Sequence, residues 1–255
     1  MDFFDQLMVY SFLKSGSLSL LLEGMPQPTP VIQQRSGKEM MAAALTGRIR
    51  SDSTMLRQGA KNVTEASNMA GIVANSASTI LSNLTDMLAL AQEVKADSTK
   101  GAADSVKFKA LAQENTAIIS NSKYNGISLL DKSGWTGDSR LTVSSDGNSA
   151  SLKIQAGYDN SKFTLNDMSY LNALASVDLS SPSLDLDALI STLSTNVNTA
   201  NIIYSGNDAL AKAYASESDF LVKQADMLAK AAKDVMPSEE DPLLRDIGSI
   251  VSTTS

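Results

Sequence analysis

The stretch LAQENTAIISNSKYNGISLLD, residues 111–131, passes from a helical pattern into a turn within a few positions. Its first half carries apolar residues at helical spacing, and this pattern breaks at Tyr124, Asn125 and Gly126 before a short apolar run. Asn and Gly tolerate the left-handed backbone conformation that tight turns require. The stretch therefore predicts a helix that ends in a sharp turn, followed by a short apolar run.

A heptad pattern precedes this stretch over about residues 36–96. Apolar side chains recur every seven positions in two rows that lie three residues apart, which forms one apolar seam along a helix. A helix of that length has too little core of its own and must lie against partners. The two rows are Ile49, Leu56, Val63, Ala70, Ala77, Leu84 and Ala91, and Ala66, Val73, Ile80, Met87 and Val94.

Two further helices follow in the prediction, over about 103–121 and about 183–235. Pro182 is expected at the first position of the last helix, where its missing N–H costs nothing. Because the long helices must bury each other, we expect them to lie antiparallel with the shorter helix beside them. The heptad row of the last helix is Leu193, Ala200, Asn207, Tyr214, Leu221, Leu228 and Val235.

Between the second and third helices the period changes from helical to alternating. RLTVSS and ASLKIQAG alternate as strands do, Asp146 and Gly147 between them favour a turn, and SKFTLND is a candidate third strand. Trp135, the only tryptophan, is expected to be a local packing anchor. The predicted fold class is mainly α: an elongated antiparallel helical bundle or coiled-coil rod of two long helices plus a shorter one, with a small β-hairpin element at about 124–170.

Composition excludes several classes of function. The 255 residues include no Cys and no His, which removes His/Cys zinc sites and catalysis that depends on either side chain. The net charge is −7 and no basic stripe is present, so we expect no nucleic-acid partner. We therefore expect no enzymatic activity, no catalytic residues, no metal and no cofactor.

Proline divides the chain into three parts. MPQPTP, at 25–30, ends an N-terminal segment assigned to 1–35, in which neither a secretory signal nor a membrane-inserting helix is recognisable. Residues 36–235 form the predicted main domain. The acidic residues 236–255 are expected to be a flexible tail.

Two blocks of sequence resemble the bacterial flagellin family. NSKYNGISLLD is similar to the turn that ends a helix in that family, and LKIQAGYDNSKFTLNDM resembles the Ile-Gln-x-Gly strand and the apolar strand that follow it. SGKEMMAAALTGRIRSDSTMLRQGAKNVTEASNMAGIVANSASTILSNLTDML looks like the family's first rod helix. The resemblance covers about 36–235.

The resemblance implies a structural subunit of the flagellum, exported without a classical signal peptide and located outside the cell. Its partners would be flagellar subunits, its own copies among them, with an export chaperone as a further partner. The seam residues expected to carry packing are Leu56, Val63, Val73, Ile80, Leu84, Met87, Leu193, Tyr214, Leu221 and Leu228.

This chain also departs from the family. The family's variable outer domains are missing, and the segments before 36 and after 235 do not match its heptad-patterned termini. Asp86 and Ala89 stand where many members carry Arg and Glu that an innate-immune receptor recognises. Two alternatives therefore stay open: a hook–filament junction or minor filament protein of the same superfamily, and a coiled-coil adaptor or secretion-apparatus protein outside the flagellum.

Overall fold

The computed structural model describes residues 37–235, so the predicted segment 1–35 and the predicted tail 236–255 lie outside the described residues. The chain divides into two units, residues 1–41 and 42–255. Of the first unit, the described residues 37–41 are helical. All packing described below belongs to the second unit.

Mainly α is the fold class of the described chain, with helices α1 (Gly37–Ala96), α2 (Gly101–Asn121) and α3 (Leu186–Asp234). A 3-10 turn, Ser98–Lys100, joins α1 to α2, and the Asp97 side chain caps it by accepting a hydrogen bond from the Thr99 N–H. The predicted long helices are confirmed to within a few residues of their bounds. Their length follows from long runs free of proline.

Helices α1 and α3 lie antiparallel, as their side-chain hydrogen bonds show. The Ser53 hydroxyl donates to the Ala225 carbonyl at 2.8 Å, and the Ser67 hydroxyl donates to the Ala211 carbonyl at 2.8 Å. Between them, the Ser218 hydroxyl donates to the carbonyl of Ala60 at 3.0 Å. Each step moves one heptad forward along α1 and one heptad back along α3.

The prediction that Pro182 occupies the first position of the last helix is wrong. Pro182 lies in a turn, and α3 begins at Leu186 instead. The reason is a better cap: the carboxylate of Asp185 accepts a hydrogen bond from the N–H of Ala188 at 3.0 Å. An N-cap carboxylate satisfies a helix N–H that would otherwise have no partner, which outweighs the preference for Pro at the first position.

The β region, predicted as a small antiparallel β element at about 124–170, contains two sheets. Strands β1 (Lys123–Tyr124) and β2 (Ile127–Ser128) form one hairpin. Strands β3 (Leu141–Val143), β4 (Ser149–Ala156) and β5 (Asp159–Asn166) form an antiparallel sheet in that order. Two 3-10 segments, Lys132–Gly134 and Ser169–Ser176, complete the connections.

One apolar core joins the helices to the β region. Ile80, Leu84 and Met87 of α1 are fully buried, and they belong to one cluster with buried side chains from α2, both sheets and α3. The three-stranded sheet packs one face on α3, where the rings of Phe163 and Tyr214 meet edge to face with centroids 6.5 Å apart. The β region is therefore part of the helical core.

Candidate functional site

The predicted packing seam is closed within the chain. Of its ten residues, nine are buried, and Leu228 is partly buried against the same core. A neighbouring molecule cannot pack on these side chains unless α1 and α3 separate. Any contact with another subunit must therefore use the outer faces of the helices or the β region.

The turn at Tyr124–Gly126 has the geometry of a two-residue β-hairpin loop. Tyr124 pairs with Ile127, and the φ values of Asn125 and Gly126 between them are 47° and 80°. Positive φ at both central positions is characteristic of a type I′ turn, for which Asn-Gly is the preferred sequence. Arg140 holds the turn from outside, because its guanidinium donates to the Asn125 carbonyl at 3.0 Å.

The Ile-Gln-x-Gly block ends where two backbones cross. Gly157 begins the two-residue turn between β4 and β5, with a φ of 67°. A Cβ added to Gly59 of α1 would lie 2.1 Å from the Gly157 nitrogen, so no side chain fits at this crossing. Beside it, the Asn62 amide donates to the Gln155 carbonyl at 2.9 Å. These contacts dock the β4–β5 turn on α1.

Trp135 anchors the loop that follows β2. The side chain is 1% exposed, and its indole N–H donates to the Ser128 carbonyl at 2.9 Å. A fully buried indole with its N–H satisfied is a packing element and leaves no face for a ligand. The structure therefore agrees with the packing role predicted for Trp135.

Two aspartates tie loops together, and both have lowered pKa values. Burial alone would raise the pKa of Asp167, but hydrogen bonds from Ser169 and Lys132 outweigh it, so the pKa is lowered. Hydrogen bonds from Ser180 and Ser105 hold the pKa of Asp178 at about 2. Both carboxylates bind neighbouring N–H and hydroxyl groups of the same chain, which is a structural role.

A buried amide pair between α1 and α2 was not recognised from the sequence. The Asn83 amide donates to the Asn115 side-chain oxygen at 3.0 Å, and both residues are buried. Buried polar pairs of this kind fix the register of neighbouring helices. The available signal was the position of Asn83 beside the apolar row that contains Leu84.

Several apolar side chains stand on the outside of the described chain. They share large size and high exposure, and none belongs to the predicted seam. They are Leu45, Val106, Val143, Tyr158, Tyr170, Ile202, Leu210, Phe220, Val222 and Met227 in the second unit. Asp86 and Ala89, the positions matched to the receptor site, are also exposed on α1.

A groove of about 390 Å³ lies between β5 and α3. Thr164 and Asn166 line it from the strand, and Ile202, Gly206 and Leu210 line it from the helix. Its polar residues are amides, hydroxyls and one ion-paired carboxylate, which is not a constellation for bond chemistry.

Within residues 37–235, no group of three or more Asp and Glu side chains is arranged to hold a metal ion. Among the described helices, none has the length and apolar character needed to cross a membrane. No protein-family model matches the chain. A search of curated proteins also found no match.

Proposed function

We propose that this chain is a structural subunit of the bacterial flagellum that resembles flagellin and acts outside the cell. One observation carries the proposal. The two most specific blocks of the resemblance, the Asn-Gly turn and the Ile-Gln-x-Gly strand, lie at two positions where the backbone of this fold requires glycine. Asn125 and Gly126 make the turn after α2, and Gly157 makes the crossing with α1. Both blocks lie between two long antiparallel helices, the order that the resemblance implies.

The proposed mechanism is packing of outer faces between copies. The seam side chains are buried within the chain and cannot contact another copy. The exposed residues Phe220 and Met227 of α3 and Val106 of α2 are therefore the candidates for contact with neighbouring copies. A net charge of −7 keeps separate copies apart at low concentration. Many weak contacts along a polymer would then add up through multivalency.

Electron microscopy with light scattering on the full-length chain tests this proposal, with and without preformed filament seeds. Filaments of regular diameter are the expected result. Phe220→Ser combined with Met227→Ser should reduce polymer without unfolding the chain, whereas Tyr170→Ser, an exposed residue of the 3-10 segment Ser169–Ser176, is the matched control. A chain that stays monomeric with every seed would contradict the proposal.

The same measurement distinguishes a filament subunit from the second candidate function, a hook–filament junction or minor filament protein. This candidate is favoured by Pro26, Pro28 and Pro30, which interrupt the sequence where the resembling family has a heptad pattern. A junction protein would cap seeds or bind their ends without growing. An adaptor outside the flagellum is less well supported, because it would be helical over 120–170, where β1 to β5 lie.

The proposal carries an expectation about immune recognition. Asp86 and Ala89 are exposed where the resembling family carries Arg and Glu, so we expect weak activation of the innate-immune receptor that recognises those side chains. A reporter-cell assay measures this directly. Asp86→Arg combined with Ala89→Glu should raise the signal, and strong signalling by the unmodified chain would refute the expectation.

A further inference from the structure

The outer edge of β5 presents unpaired backbone groups. β5 pairs with β4 on one side, and no described strand lies on its other side. The Asp167 N–H donates to the Asn148 carbonyl at 3.0 Å, so this pair and every second pair along the strands is hydrogen-bonded. The intervening residues Thr164 and Asn166 therefore point their N–H and C=O groups away from β4, into the groove.

Helix α3 extends past this edge with apolar side chains. Phe163 and Leu165 of β5 pack their side chains into the core, whereas Ile202 and Leu210 line the groove and are 70% and 39% exposed. At Gly206, between them, a Cβ would meet nothing within 4 Å. Helix α3 therefore exposes apolar side chains beside the outer edge of β5.

Asn207, which lines the groove, has a buried side-chain oxygen without a hydrogen-bond donor among the described residues. Its side chain is 5% exposed and lines the groove. The amide nitrogen donates to the Ile203 carbonyl at 2.8 Å, but the side-chain oxygen has no hydrogen-bond partner in the described chain. A buried acceptor without a donor costs free energy, and an added peptide strand has N–H groups to offer.

The opposite edge of the same sheet is a suitable strand. The hydrogen bond from the Ser144 N–H to the Ser149 carbonyl fixes the pairing of β3 with β4, which leaves the backbone of Val143 facing outward. Val143 is 42% exposed and is the only large exposed apolar residue within the described strands. Residues Leu141–Val143 carry no charge.

Charge does not oppose a second copy as the occupant at this place. Two copies with a net charge of −7 each repel, so they can approach closely only where charge is absent or neutralised. The groove's one carboxylate, Asp167, is paired with the Lys132 ammonium at 3.1 Å. We propose that β3 of one copy adds to the β5 edge of the next copy, in the groove against α3.

This contact uses different surfaces on the two copies, so it propagates head to tail, into a closed ring or an open filament according to the rotation between copies. It rests on the proposed function, since it names a further contact between neighbouring subunits, in addition to the outer faces of α2 and α3. Strand addition of this kind draws affinity from main-chain hydrogen bonds and specificity from side-chain pockets.

Because the chain has no Cys, introduced cysteines give a clean test. A Val143→Cys chain is mixed with a Thr164→Cys or Asn166→Cys chain and oxidised, since facing residues on adjacent strands lie within disulfide distance. We expect disulfide-linked dimers in the mixtures, several-fold above each variant alone. Ser151→Cys, on the central strand β4, replaces Val143→Cys as the control and should not cross-link.

Sedimentation velocity provides the second measurement. Gly206→Leu fills the groove and should weaken self-association several-fold, whereas Gly47→Leu, another open helical glycine, should leave it unchanged. Dimers formed by Thr164→Cys alone would mean that β5 pairs with β5, which overturns the proposal. No cross-linking above the Ser151→Cys control, with no effect of Gly206→Leu, also overturns it.

The two proposals fail separately. Filaments that form without the cross-link between positions 143 and 164 or 166 would retain the flagellar function and refute the edge contact. Cross-linked copies that never extend a filament seed would retain the edge contact and refute the flagellar function.

Discussion

The seam between α1 and α3 and the β region after α2 are held together by different physical means. The seam repeats one heptad unit, and at Ser53, Ser67 and Ser218 a hydroxyl bonds a carbonyl of the facing helix. The β region depends instead on single positions, such as the crossing of Gly59 with Gly157. Repetition spreads stability over many residues, whereas the β region concentrates it in a few.

The largest effect is expected in the fully buried centre of the seam. Leu84→Ala removes a side chain that is 0% exposed, and it should lower the free energy of unfolding by about 2–5 kcal/mol. Leu228→Ala, in the same predicted seam but only partly buried, should cost less than half as much. Urea unfolding followed by circular dichroism measures both, and equal losses would contradict the difference in burial.

Gly59→Ala tests the crossing in the β region. The new Cβ would lie 2.1 Å from the Gly157 nitrogen, so backbone must shift, at a cost of about 1–3 kcal/mol. Gly71→Ala in the same helix meets nothing within 4 Å and should stabilise the chain, since Ala favours helix over Gly by about 1 kcal/mol. In the same unfolding assay, we expect Gly59→Ala to lower the free energy of unfolding and Gly71→Ala to raise it. A stabilising Gly59→Ala would refute the close approach of Gly59 to Gly157.

Gly126→Ala tests the turn with no change in packing. The φ of 80° at Gly126 is unfavourable for a residue with a Cβ, by about 1–2 kcal/mol, although a Cβ there would meet nothing within 4 Å. Asn125→Gly is the control, because Gly also accepts the positive φ at Asn125 and should be nearly neutral. Thermal unfolding of both variants distinguishes backbone strain from lost contacts, and an unchanged midpoint for Gly126→Ala would argue against the turn.

The smallest effect concerns pH. The pKa of Asp178 is lowered to about 2 by hydrogen bonds from Ser180 and Ser105. Its stabilising contribution is therefore present above its unfolded pKa of about 3.8 and is lost as the pH falls towards about 2. Asp178→Asn should flatten the pH dependence of stability in this window and leave its shape above pH of about 5 unchanged. Urea midpoints measured across the window check this, and an unaltered acid dependence in the variant would contradict it.

The parts of the fold that could be predicted are the helices and strands whose apolar residues recur at a regular local spacing. The heptad rows predicted α1 and α3, and the alternation around Asp146 and Gly147 predicted β3 and β4, because each pattern reports which face of an element is buried. The start of α3 was misplaced because Pro182 and Asp185 both mark helix starts, and only the backbone geometry shows that Asp185 caps Ala188. The groove beside β5 left no local signal, since its two walls lie far apart in the chain.

The sequence by itself determined a mainly helical chain without His or Cys chemistry and a sharp turn at Asn125 and Gly126, because composition and backbone preference act within a few residues. Only the tertiary structure decided that the seam is closed inside the chain, that Gly59 must be bare where Gly157 crosses it, and that α3 extends beyond the edge of the sheet. Those features depend on distances between residues that are remote in the sequence, and no local pattern encodes such distances.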